Sequence, residues 1–358
     1  MEEVNLRLCR AIKAVGLRAV LVYAADLPSE LESRMREAGA EIEVVRYQNG
    51  RYAFYRELAR ILKTYSISMV HICFFDYFSL IPWLVRFNGV RCIIYEELNS
   101  GMMKAVSWKK RLLQLRTLVT TLPMTQVIAV SEFVKRDLIK RGIAPDRIVV
   151  RYLGADEERF RPNPASRERL AVEFSIRPDE LIMSSVTLLR PFKSPETLVE
   201  CCQLLAQRGV PARLFVAGDG AMLSNLKDLS KSLGVADRIH WLGFCKDPTS
   251  LMQASDVFLL ASVGEAGGFV LSEAMGCGLP IVGSDSGVIS ESVEEGVTGF
   301  LAAPQNPGSF ADALEKLARD EALRRSMGSN ARARMLKRFT VDINVENTMC
   351  IYAAGWAD

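Results

Sequence analysis

The stretch 265–300, EAGGFVLSEAMGCGLPIVGSDSGVISESVEEGVTGF, places two glutamates, Glu265 and Glu273, eight residues apart around a Gly-Gly turn. The apolar run DVFLLAS (256–262) precedes it and reads as a buried strand, and the residues after the turn read as the start of a helix. Backbone N–H groups at Gly267, Gly268, Phe269 and Val270 would then open a helix and face an anion, with the helix dipole favouring negative charge there. Glu273 falls about one turn into that helix, where a carboxylate can accept hydrogen bonds from vicinal hydroxyls. Glu265 stays on the loop. A strand, a glycine turn and a helix in this order predict a site at the carboxyl end of a parallel sheet.

Composition limits the alternatives. A chain of 358 residues exceeds what one core usually organises, so two domains are expected. Hydrophobic residues make up 49% and charged residues 24%, ordinary for a globular protein. A formal charge of +3 leaves no concentrated basic surface of the kind nucleic acid requires. The eight cysteines contain no C-x2-C pair and the only histidines are His71 and His240, so no metal site is expected from the spacing. Cysteines inside apolar segments such as MVHICFF read as reduced core residues of a cytoplasmic protein. Neither a membrane span nor a signal peptide is legible.

Short apolar runs alternate with amphipathic stretches throughout, the pattern of parallel sheets covered by helices. Strands are expected near 18–24, 42–46, 68–74, 91–95, 126–130 and 147–151, then near 181–187, 212–217, 238–242, 256–261, 280–283 and 299–302. The segment EERFRPNPAS (157–166), with charges and two prolines, reads as a linker. The expected architecture is α/β, with domains at 1–158 and 159–340 and a closing helix, 341–358, returning to the first.

The 265–300 stretch also resembles a family. E-x7-E, followed by GLPIVGSDSG (278–287), Glu291 and EEGVTGFL (294–301), is similar to the signature of the retaining GT-B glycosyltransferases of family 4. VIAVSEFVKRDL (127–138), YLGADEERFRP (152–162), VAGDGAML (216–223) and DRIHWLGF (237–244) resemble family segments in the family's order. The resemblance implies two doubly wound Rossmann-like domains facing a central cleft. It further implies a metal-independent, cofactor-free enzyme moving a sugar from a nucleotide-diphosphate donor, a UDP-sugar ahead of GDP- or ADP-sugars, to a hydroxyl of a glycan or lipid-linked acceptor.

Residue roles follow from the same resemblance. SSVTLLRPFKSPETL (184–198) leaves a strand carrying Arg190 and Lys193, cations able to neutralise a departing diphosphate; Lys193 matches the family lysine. The family arginine falls on Thr187 and the glycine after the lysine on Ser194, and Val288 and Ser290 also depart. The nucleotide is expected against Gly218 and Gly220, whose missing side chains would admit it, the strand end near Phe244, and Glu273; Glu265 is expected to orient the sugar. On the acceptor side stand Glu96 and Glu97, the former where relatives carry a histidine, and His71, which reads either as a sugar contact or as a structural residue. The helix expected at 101–119 interleaves lysines and arginines with apolar residues, and reads either as a peripheral contact with anionic membrane or as a solvated helix face. EEVNLRLCRAIKAVG (2–16) resembles the family's first helix, so the family's opening strand and glycine-rich loop are expected upstream of Met1, or the first domain is compromised. The departures leave one alternative from another class, a catalytically impaired scaffold acting as a binding or partner subunit.

Overall fold

The computed structural model describes residues 2–46, 50–73, 79–99 and 115–357. The chain divides into two compact units, Met1–Tyr152 together with Val341–Asp358, and Leu153–Thr340. The first unit therefore ends before position 158, and the closing helix Val341–Ala357 belongs to it.

Unit 1 holds β1 (Ala19–Tyr23), β2 (Ala40–Val44), β3 (Met69–Cys73), β4 (Cys92–Glu97), β5 (Gln126–Ala129) and β6 (Ile148–Val150). All neighbours are parallel, but they form two sheets, β1-β2 and β3-β4-β5-β6. β4 is buried along its whole length, which explains its unbroken apolar start, CIIY. The closing helix lays Ile351 and Tyr352 against Cys92, Ile94 and Ile128, and its Gly355 admits the Cys92 sulfur where a Cβ would come within 2.8 Å. The strand expected at 42–46 begins earlier because the chain leaves helix Ser29–Glu37 through Gly39 and enters β2 directly.

Unit 2 holds β7 (Leu181–Val186), β8 (Ala212–Ala217), β9 (Ile239–Gly243), β10 (Val257–Leu260), β11 (Ile281–Ser284) and β12 (Gly299–Ala302). They form one parallel sheet in the order β12-β11-β10-β7-β8-β9. The chain winds outward from β7 in one direction and from β10 in the other, so the topological switch lies between those two strands. Both faces are covered: Phe215, Phe258 and Phe310 are among the largest fully buried side chains. Two consecutive helices start on side-chain caps, Asn306 accepting from the Ser309 N–H and Asp320 from that of Leu323.

The linker reading of 157–166 is corrected by the packing. Phe160 is buried against Gly276 and its carbonyl accepts from Arg332 at 3.1 Å, while Ser166 is buried within helix Pro164–Glu173. One aromatic side chain with a core to enter outweighs the charged and proline-rich sequence around it.

Candidate functional site

The loops that leave β7 and β10 flank the switch point, and they carry the cation and the first carboxylate of the sequence motif. After β7 the chain runs through Thr187–Arg190 and a short 3-10 turn, Pro191–Lys193. After β10 it runs through Ser262–Gly268 into helix Phe269–Gly276. The Val263 N–H donates to the Phe192 carbonyl at 2.8 Å and joins the loops. Lys193 Nζ forms an ion pair with Glu265 Oε2, each side chain about 15% exposed. Ammonium has three donors, so the pair leaves Lys193 capacity for an anion's oxygens.

The loop after β11 closes on the same place. The Val288 N–H donates to the Glu265 carbonyl at 2.8 Å, and the Gly264 N–H to Ser286 Oγ at 2.9 Å. Gly268 has φ +62°, and a Cβ there would meet Val288 Cγ1 at 2.8 Å, so the turn before the helix admits no side chain. Phe269 and Val270 open that helix, where the first N–H groups have no partner within it.

The structure gives the glycines of the 218–220 turn a different reason from close approach of a ligand. A Cβ on Gly218 would sit 1.8 Å from the Thr187 carbonyl oxygen, and one on Gly220 2.4 Å from that of Leu189. What these glycines admit is the chain's own β7 loop, which the Leu189 N–H fastens to Asp219 O at 3.0 Å. Phe244 stands exposed just beyond β9. Arg190 is exposed, with no side-chain partner among the described residues.

Glu273 lies one turn into helix Phe269–Gly276, and its carboxylate has no hydrogen bond or ion pair among the described residues. Burial pushes its carboxyl up to about 7, and the charge of Arg159, itself paired with Asp247, only partly offsets this. A half-buried acid without donors is costly unless a ligand supplies them. Because the folded state holds this proton more tightly than the unfolded chain, stability falls as pH rises from the ordinary carboxyl range through about 7. Glu273→Gln is therefore expected to raise the melting temperature at pH 8 and to change little near pH 5, the difference corresponding to at most about 3 kcal/mol. Melting curves at the two pH values check this; an equal shift at both would remove the carboxylate's charge as the cause.

Ser194 precedes helix Pro195–Gln207 with φ +45° and ψ +50°, and its buried hydroxyl has no hydrogen-bond partner among the described residues. A serine in left-handed backbone costs roughly 1–2 kcal/mol. Ser194→Gly is expected to stabilise unit 2 by about 1 kcal/mol, a rise of about 2–4 °C on thermal unfolding. A lower melting temperature would show that the hydroxyl contributes more than the backbone strain costs.

In unit 1, Glu96 and Glu97 end β4 with both side chains about 5% exposed. Glu97 pairs with Arg141 at 3.1 Å. Glu96 Oε1 pairs with Arg151, whose Nη1 also donates to Asn344 at 2.9 Å and Thr348 at 2.7 Å on the closing helix. Burial opposes the Glu96 charge, but the hydrogen bond to His71 and the charge of Arg151 outweigh it and bring the carboxyl down to about 2. His71 Nε2 lies 3.3 Å from Glu96 Oε2, and Nδ1 lies 2.7 Å from the Tyr352 hydroxyl. Cys73 is exposed as a residue, but desolvation of its sulfur within the cluster first, and the Glu96 charge second, push the thiol well above the ordinary range. Sequence reading missed Cys73, Arg151 and Tyr352 as members of this cluster. The legible signal was H-x-C on β3 opposite the start of E-E on β4, since Cys73 and Glu96 are register partners. Of the basic segment expected at 101–119, residues 101–114 lie outside the described residues, and no described helix is long and apolar enough to cross a membrane.

Comparisons with known proteins give the family and the fold. The family model "Glycosyl transferases group 1" matches residues 166–334, and "Glycosyltransferase Family 4" matches residues 1–159. EpsD of Bacillus subtilis (strain 168), which carries the name of a glycosyltransferase, is 28% identical over 311 residues, 84% of this chain and 80% of its own. N-acetyl-alpha-D-glucosaminyl L-malate synthase of Bacillus anthracis is 33% identical over 184 residues; that match spans 51% of this chain and about half (48%) of the relative. The crystal structure of Anabaena HepE in complex with UDP and glucose superposes with a TM-score of 0.81 at 21% identity, covering 98% of this chain and 95% of that one. Two Rossmann-like units with this likeness define the GT-B fold of glycosyltransferases. Within that class, the chain belongs to the family 4 glycosyltransferases.

Proposed function

We propose that the chain is a retaining glycosyltransferase that transfers a sugar from a UDP-sugar to a hydroxyl of a glycan or lipid-linked acceptor. The observation that carries this reading is the Lys193–Glu265 pair at the switch point of unit 2. Charge accumulates on a departing diphosphate, and a positioned ammonium with the N–H groups that open helix Phe269–Gly276 can stabilise it. Glu265, fixed through its backbone by Val288 and through its carboxylate by Lys193, orients the sugar. Glu273 accepts hydrogen bonds from the ribose hydroxyls, which supply the donors that its half-buried carboxylate lacks. The acceptor hydroxyl attacks on the face the diphosphate leaves, a phosphate oxygen takes its proton, and no protein base is required. Arg190 extends the positive rim of the same loop, and Gly218, Gly220 and Phe244 bound the nucleotide.

Uridine as the base rests on the UDP held by HepE, which has the same fold. Thermal-shift titration with UDP-, GDP- and ADP-sugars tests it. A ligand at a hundredfold its dissociation constant stabilises the native state by about 2.7 kcal/mol, so a UDP-sugar should raise the melting temperature and the others should not. A shift confined to GDP- or ADP-sugars would overturn the donor assignment, and no shift with any nucleotide would overturn the site.

A further inference from the structure

Three side chains of unit 1 converge outside the donor site. His71 and Cys73 stand on the same face of β3, and the parallel register sets Glu96 of β4 opposite Cys73. Three atoms meet: His71 Nε2 to Glu96 Oε2 is 3.3 Å, Cys73 Sγ to Glu96 Oε2 is 3.5 Å, and Cys73 Sγ to His71 Nε2 is 3.7 Å. We propose that these three side chains form a binding site for a divalent transition metal of the zinc class, with its fourth position open to water or a further ligand.

The geometry carries the assignment. Zinc binds thiolate at about 2.3 Å, imidazole at about 2.05 Å and carboxylate at about 2.0 Å, usually tetrahedrally. Those lengths put nitrogen and oxygen about 3.3 Å apart, sulfur and oxygen about 3.5 Å, and sulfur and nitrogen about 3.6 Å. The observed triangle matches each edge to within about 0.1 Å, so a metal could enter without displacing the strands. The atoms turned away from the triangle are each held: His71 Nδ1 by the Tyr352 hydroxyl and Glu96 Oε1 by Arg151. Such outer contacts fix a ring's tautomer and a carboxylate's orientation, as around established metal sites. Bound as thiolate and carboxylate, Cys73 and Glu96 would bring two negative charges to a dication, Arg151 offsets one, and binding releases the thiol proton to solvent. The mixed sulfur, nitrogen and oxygen set favours zinc or cobalt over magnesium or calcium. The donor chemistry proposed for unit 2 does not depend on this site.

Cobalt(II) titration of the full chain, after dialysis against chelator, tests the proposal. One equivalent should give a thiolate-to-cobalt charge-transfer band and intense visible bands of tetrahedral cobalt, both lost when zinc is added. Cys73→Ser should abolish the charge-transfer band, whereas Cys350→Ser, at the other exposed cysteine, should leave it unchanged. Tyr352→Phe should weaken cobalt affinity by about 10- to 100-fold, the scale for removing an outer contact to a ligating histidine. Melting curves verify the fold of each variant, and Cys73→Ala stands in for Cys73→Ser if that variant does not fold. Absence of the band in the unaltered protein, or its survival in the Cys73 variant, would overturn the proposal.

Discussion

Lys193→Ala is expected to lower turnover by about 10²- to 10³-fold, the usual loss when one stabiliser of a developing anion is removed. The ammonium would act on charge that grows only as the bond to the diphosphate breaks, so the rate should suffer more than nucleoside diphosphate affinity. The substitution also leaves Glu265 without its cation in a site only about 15% exposed. Lys193→Ala with Glu265→Gln separates the two effects. If the loss of turnover came from the stranded carboxylate, the double variant would recover it; if it came from the missing cation, it would not. Glycosyl transfer from the donor identified by thermal shift, measured at saturating donor, decides between them. Turnover within threefold of wild type in Lys193→Ala would remove the lysine from the chemistry.

The second large effect is on stability. Arg151→Met is expected to destabilise unit 1 by about 3–5 kcal/mol, the range for stranding one member of a buried ion pair. Glu96 keeps its charge in the native protein because the hydrogen bond to His71 and the Arg151 guanidinium overcome burial. Removing the guanidinium also unfastens Asn344 and Thr348 of the closing helix from β6. Since whole domains are stable by only about 5–15 kcal/mol, a loss of this size is a large share of the total. Denaturant unfolding of Arg151→Met, Glu96→Gln and the pair together gives the coupling. A double variant no more stable than Arg151→Met would show that the helix anchors, not the charge pair, carry the effect.

The parallel strands were legible because strands buried on both faces are written as short apolar runs; VFLL and the strand opened by LIM, which carries two buried serines before Val186, end within a residue or so of where they were expected. The placement of Lys193 and Glu265 at strand ends was legible too, since each follows such a run by a short loop. Their contact was not, because it depends on β7 and β10 being neighbours in space although they are distant in sequence. The same limit hid the cluster on β3 and β4. Spacing rules for metal ligands look along the chain, whereas Cys73 and Glu96 are brought together across a ladder. That Gly218 and Gly220 also make room for the β7 loop was not legible, because a sequence shows where a side chain is missing, not which backbone packs there. The 157–166 segment failed for another reason: its composition averages away Phe160, the residue that fixes it.

The division of unit 1 into a two-stranded and a four-stranded sheet has a consequence for how it unfolds. No backbone ladder joins β1-β2 to β3-β4-β5-β6 among the described strands. Side chains make the connection instead. Helix Glu2–Ala14 sends Leu6 and Cys9 into one core and Leu8 into the other, with Ile12 touching both, and Tyr65 reaches Glu43 at 2.8 Å. A sheet transmits disturbance along its hydrogen bonds, but a joint made of side chains can slacken while both ladders stay intact. The pair β1-β2 is therefore expected to open locally at a free energy below that of global unfolding, and native-state hydrogen exchange, showing β1-β2 amides less protected than those of β4 and β5, checks this. Helix Glu2–Ala14, whose apolar residues enter both cores, is the joint that such an opening would have to loosen.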